Sequence, residues 1–74
     1  MQIKVKLFAH HRTGRFKEEI LDYPVDASIG QIVATLGILP ELTGMALRNG
    51  YPATLIETLQ DGDTLAIFPL VSGG

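Results

Sequence analysis

The stretch FPLVSGG carries the residues of this chain with the clearest chemical potential, Gly73 and Gly74. A main-chain carboxylate is a poor electrophile because its charge repels nucleophiles. Converted by ATP to a mixed anhydride with AMP, its carbon opens to attack by sulfur. Glycine suits such a position twice. No Cβ shields the reacting carbon, and the backbone enters angles closed to other residues. The competing reading is a frayed end, where small residues collect. From Pro69 to Gly74 the chain makes five Cα steps, a reach of about 17 Å when extended. The expectation is that Gly74 reacts, while Gly73, Ser72 and Val71 form the tail that threads into a partner.

The side chains offer less. His10 and His11 have no acidic or histidine partner at helical ligand spacing, so they read as a solvated loop and no metal site is expected. Glu18 and Glu19 are neighbours on a strand and face opposite sides, which rules out a carboxylate pair. Ser72 has no base near it in sequence. Gly30 and Gly37 do not make a phosphate-binding fingerprint. Arg12 and Arg15, with the two histidines, could meet an acidic partner, although a charged loop is ordinarily only solvated. There is no cysteine. Disulfides, thiol chemistry and thiolate metal sites are therefore excluded, and the cytoplasm is the expected location. The net charge of −2 argues against nucleic acid as the main partner. No stretch approaches the roughly 18 apolar residues of a membrane span.

The elements that would hold such a tail are legible from periodicity. MQIKVKLFA alternates, with Ile3, Val5 and Leu7 on one face. HHRTGR breaks the pattern as a turn or loop. FKEEILDYPV resumes as a second strand, with Leu21 and Tyr23 directed inward. In ASIGQIVATLG the period changes: Ile29, Ile32, Val33 and Leu36 follow i, i+3, i+4, i+7, one helical face. Ser28 and Gln31 form a capping box, and Gly37 suits the left-handed position after the last turn. GMALRNGYP reads as a short strand running into an Asn49-Gly50 turn. TLIETLQ suggests a short helical turn through Leu55 and Leu59. Asp61-Gly62-Asp63 is a tight turn, and TLAIFPL is the last strand, which Pro69 ends.

At 74 residues this is one domain, expected to fold over 1–69 with a tail at 70–74. The order of hairpin, helix, strand, short turn and strand predicts an α+β fold: a mixed sheet with one helix on one face and the first and last strands central. This is the ubiquitin-like β-grasp. A ferredoxin-like fold would need a second full helix. The expected core is Ile3, Val5, Leu7, Leu21, Ile29, Ile32, Val33, Leu36, Leu47, Leu65 and Ile67. By alternation, Phe8 and Phe68 fall on the open face. Met45 and Leu47 are assigned inward, which puts Ala46 and Arg48 on the open face. Phe8, Ala46, Arg48 and Phe68 are therefore the expected partner-binding patch at the root of the tail.

Taken in order, IKVKLFA, Leu36-Gly37, Asn49-Gly50, the turn Leu59 to Asp63 and the ending Phe68 to Gly74 resemble the sulfur-carrier branch of the ubiquitin-like family. Within it the likeness is to the molybdopterin synthase small-subunit type. The resemblance spans nearly the whole chain. Leu70 departs from it, standing where that type usually has a second proline, and ILPELTGMA is short for it. The resemblance implies that an E1-like enzyme, using ATP, adenylates Gly74 and that the carboxylate becomes a thiocarboxylate. The sulfur would pass to a pterin precursor held by a large subunit. No cofactor bound permanently and no catalytic side chain would be needed. Sister carriers serve thiamine thiazole synthesis or tRNA thiolation. From another class, a non-reactive ubiquitin-like binding module needs no free Gly-Gly, and the ending of the chain on that pair favours the carrier.

Overall fold

The computed structural model describes residues 1–70. Strand β1 (Gln2–Leu7) buries Ile3, Val5 and Leu7 completely. Strand β2 (Glu18–Asp22) returns antiparallel to it with Ile3 opposite Leu21 and Lys6 opposite Glu18. Between them, where a turn or loop was expected, Ala9–Arg12 winds into a 3-10 turn. The Arg12 Nε donates to the Leu7 carbonyl at 2.6 Å and ties this turn to the end of β1.

Helix α1 (Ile29–Thr35) has the predicted capping box. The Gln31 amide donates to Ser28 Oγ at 3.1 Å, and the Ser28 amide donates to Gln31 Oε1 at 2.9 Å. Gly37 leaves the helix at φ +75°. The segment TLIETLQ makes a single turn, with the Glu57 amide donating to the Thr54 carbonyl at 3.1 Å, and does not continue into a helix; the start of α1 supplies the reason. The amides of Ile29 and Gly30, which lack partners within their own helix, donate to the carbonyls of Glu57 and Leu55 at 2.9 and 2.8 Å. Those carbonyls are committed outward. A Cβ at Gly30 would lie 3.1 Å from the Leu55 oxygen, tighter than most side chains tolerate, so glycine suits the close approach there.

Strand β3 (Met45–Arg48) turns through Asn49 and Gly50 into β4 (Tyr51–Ala53), a three-residue strand that the sequence reading did not include. Both turn residues have positive φ, 51° and 87°, as a two-residue hairpin with matching twist requires. Strand β5 (Thr64–Phe68) runs parallel to β1 and antiparallel to β3, giving the order β2-β1-β5-β3-β4. The architecture is the α+β β-grasp, with β1 and β5 inside and α1 on one face. Ile3, Val5, Leu7, Ile29, Ile32, Val33, Leu65 and Ile67 are all fully buried. Each contributes about 1.5–3 kcal/mol. Leu21 and Leu36 pack at the margin, and Ala27, Ile38, Ala46 and Leu59 complete the core. Leu47 does not belong to it.

At the end of the sheet remote from Phe68, Asp63 organises the turns. It accepts from Arg48 Nε at 2.8 Å, from Asn49 Nδ2 at 3.0 Å and from the Gln60 amide at 2.8 Å. Burial alone would raise its pKa. The Gln60 amide, the Asn49 amide and the Arg48 guanidinium outweigh that and hold it below the ordinary carboxylate value. A carboxyl lowered by folding stabilises the protein above its ordinary value, 3.8, and that contribution is lost as pH falls through the folded value. We predict that Asp63→Asn lowers the unfolding free energy at neutral pH by about 1–3 kcal/mol. It should also flatten the loss of stability below about pH 4. Urea titrations at stepped pH check both; an unchanged acid slope would remove Asp63 from this role.

Candidate functional site

The parallel pairing of β1 and β5 sets Leu7 beside Ile67, so the residues that follow each strand come together. Phe8 and Phe68 stack with ring centroids 4.1 Å apart and planes 12° from parallel. The Arg12 guanidinium carbon lies 5.2 Å from the Phe8 centroid, a cation–π contact. The Phe8 amide donates to the Ile67 carbonyl at 3.2 Å. The two aromatics expected on the open face are there, half-exposed, at the end of the sheet from which the chain leaves through Pro69 and Leu70.

The other two residues of the expected patch are not. Ala46 pairs with Ile67 and is 4 % exposed, within the core under the helix. Arg48 pairs with Leu65 on that same face, and its guanidinium meets Asp63. Met45, opposite Phe68, and Leu47, opposite Ala66, take the open face instead. The phase of β3 is set at its turn. Arg48 and Tyr51 close the hairpin, and the Arg48–Asp63 ion pair holds Arg48 toward the helix side. A shift of one residue reverses every side chain of a strand, so Ala46 follows Arg48 inward. The apolar surface beside the tail is therefore Phe8, Phe68, Ala66, Met45 and Leu47. MALR has no polar–apolar alternation from which this phase could be read. The long-range signal was Arg48 facing the DGD turn.

The origin of the tail is clamped. Gly44 has φ +81°, and a Cβ there would overlap the Phe68 carbonyl oxygen and lie 2.6 Å from Leu70 N. Its neighbour Thr43 is 2 % exposed. His11, expected in a solvated loop, is 3 % exposed, and its Nε2 donates to the Thr43 carbonyl at 3.1 Å. The first 3-10 turn, Thr43-Gly44 and the end of β5 thus form one packed unit. Among the described residues no three His, Asp or Glu side chains gather as a metal site would require. Glu18 forms an ion pair with Lys6 at 3.7 Å. Val71, Ser72, Gly73 and Gly74 lie outside the described residues.

Charge is segregated along the chain. Of six Lys and Arg residues, five lie within the first 17 positions, and the first acid is Glu18. Arg12 and Arg15 lie in the loop beside the tail origin, whereas Asp22, Asp61 and Asp63 stand at the opposite end of the sheet.

The sequence pattern of the ThiS family matches residues 5–74. Among solved structures, SAMP1 from Haloferax volcanii is 32% identical, with a TM-score of 0.73 and complete coverage of both chains. A putative molybdopterin converting factor subunit 1 from Pyrococcus furiosus has a TM-score of 0.77 at 24% identity, over 96% of this chain and 99% of that one. A complex of subunits 1 and 2 of molybdopterin-converting factor from Helicobacter pylori contains a chain with a TM-score of 0.65 at 20% identity, both chains covered fully. The last two share the fold. No curated protein gives a significant match.

The clamp makes a prediction. Gly44→Ala places a side chain at a left-handed position and against the backbone of Phe68–Leu70. It should lower the unfolding free energy by at least about 1–2 kcal/mol. Denaturant unfolding checks this; wild-type stability would mean that the tail origin is not held as described.

Proposed function

The chain belongs to the ThiS family, among the ubiquitin-like sulfur carriers, and from that premise we propose that it carries activated sulfur on the carboxylate of Gly74. The observation that carries this reading is the placement of the chain's exit. Two stacked aromatics and an apolar sheet face stand beside a clamped origin, and the family match continues through residue 74. The domain supplies grip and position, and the chemistry is supplied by partners.

In the first step the Gly74 carboxylate attacks the α-phosphorus of ATP within an E1-like adenylating enzyme. A carbon–oxygen–phosphorus linkage forms and pyrophosphate leaves. A hydrosulfide equivalent then attacks the acyl carbon and AMP leaves, so the carboxylate becomes a thiocarboxylate. No side chain of this domain takes part. The acceptor we favour is a pterin precursor in a molybdopterin synthase-type complex, with a large subunit gripping the face around Phe8 and Phe68. The fold shared with the converting-factor subunits supports this choice. Thiamine thiazole synthesis and tRNA thiolation would use the same thiocarboxylate.

The likeness to SAMP1, a small archaeal modifier protein, favours one second reading. The same adenylate attacked by a lysine amine, with loss of AMP, would leave an isopeptide and make the domain a protein modifier.

Intact mass after incubation with the cognate adenylating enzyme, ATP and a sulfur source separates the readings. Replacement of one oxygen by sulfur supports the carrier, and a ladder of conjugates supports the modifier. Deleting Gly74, or appending one residue after it, should abolish ATP–pyrophosphate exchange with the melt unchanged; exchange by the appended form would refute Gly74 as the activated group. Gly73→Ala should fold normally and react poorly, because a methyl would crowd the narrow site in which the adenylating enzyme must receive the tail. The Phe8→Ala, Phe68→Ala double variant should weaken partner affinity by at least about 1 kcal/mol. Wild-type affinity by calorimetry would place the grip elsewhere.

A further inference from the structure

We propose that the groove between the first 3-10 turn and the segment 37–42 receives a carboxylate-bearing segment of the partner protein, with the carboxylate on Arg15 and an adjoining apolar side chain between Leu39 and Leu42. This goes beyond the sheet-face contact and rests on the carrier reading only for the identity of the partner.

Arg15 is the observation that carries it. Its Nε donates to the Leu36 carbonyl at 2.6 Å, its Nη2 to the Gly37 carbonyl at 3.2 Å and its Nη1 to the His11 carbonyl at 3.2 Å. All three acceptors are neutral. Among the described residues the ion pairs are Lys6–Glu18 and Arg48–Asp63, and Arg15 is in neither. A guanidinium has five N–H donors, so two remain. The cation is uncompensated, and three carbonyls already hold its planar fork in one orientation. The rotamer entropy that an arginine loses on binding has thus been lost in folding.

The groove holds about 230 Å³. That is below the ~300–1,000 Å³ of small-molecule sites and is of a size for a side chain or two. His10 and Arg15 line it with the apolar groups of Ile38, Leu39 and Leu42. Leu39 and Leu42 are 56 % and 53 % exposed. No carboxylate lines the groove; Glu41, in the turn Pro40–Leu42, is exposed and is not one of its lining residues. A cation set among leucines is complementary to an acid beside an apolar residue. His11, which lines the same groove, bonds Thr43, whose neighbour Gly44 abuts the origin of the tail. A segment bound here belongs to whichever protein receives the tail.

The test is an amide-resolved NMR titration of the full chain with acetyl-Leu-Asp-Glu-Leu-amide and its uncharged counterpart acetyl-Leu-Asn-Gln-Leu-amide. The expected result is saturable shifts at residues 10–15 and 37–42 with the acidic peptide, weakened about tenfold for the uncharged one and suppressed by high salt. Arg15→Gln should remove the response. Because Arg15 also ties down the end of α1, Leu42→Asp provides a second variant at an exposed position; it should fold as wild type and lose the response. Equal response to both peptides, or shifts centred on Phe8 and Phe68, would overturn the proposal. So would groove shifts that depend on protein concentration alone, which would make the occupant a second copy, or groove shifts on truncation after Leu70, which would make it the chain's own tail. The mass assay for Gly74 is independent of the groove, so failure of the carrier reading and failure of this proposal are read separately.

Discussion

The arrangement around the chain's exit from the sheet follows from the parallel pairing of β1 and β5. Ile3, Val5 and Leu7 on one strand and Leu65 and Ile67 on the other are fully buried under α1, so neither strand can shift without exposing its whole apolar row. Parallel strands finish at the same end. Phe8 and Phe68 are therefore brought face to face, the 3-10 turn after β1 lies beside the exit after β5, and Arg12 of that turn lies over the Phe8 ring. A hairpin between the two strands would have put those groups at opposite ends of the sheet.

One helix covers one face, and the division of labour comes from that economy. The covered face holds the core, and the uncovered face leaves Phe8, Phe68, Met45 and Leu47 partly exposed. Gly30 illustrates how closely the covered side is assembled: the segment after β4 crosses the start of α1 and supplies acceptors for its first two amides. The segment that looked helical by spacing serves as a cap for a helix elsewhere. That role is tertiary, and no local pattern encodes it.

The features legible in the sequence were those with local causes. The alternation of β1 and β5, the Ser28–Gln31 box, the left-handed Gly37 and the Asn49-Gly50 turn each act within a few residues, and each stands where it was expected. Phe8 and Phe68 were placed correctly for the same reason. The phase of β3 was not, because MALR gives no alternation and its orientation is decided by a partner 15 residues away, Asp63. The burial of His11 and the triple anchoring of Arg15 also depend on contacts across the chain, with Thr43, Leu36 and Gly37. A short apolar side chain such as Ala46 belongs to either face by composition, and only its pairing with Ile67 assigns it.

The two outer strands have a consequence for life in a crowded solution. An unpaired strand edge invites another molecule to extend the sheet. On one side, β4 has only three residues and carries Pro52 opposite Leu47, one pair beyond the closing pair of the hairpin. There a backbone N–H would face outward, and proline has none. On the other side, β2 carries Glu18, Glu19 and Asp22, so two such edges repel. Both borders resist polymerisation. A domain that displays an apolar sheet face is thereby kept from assembling strand upon strand with its own copies.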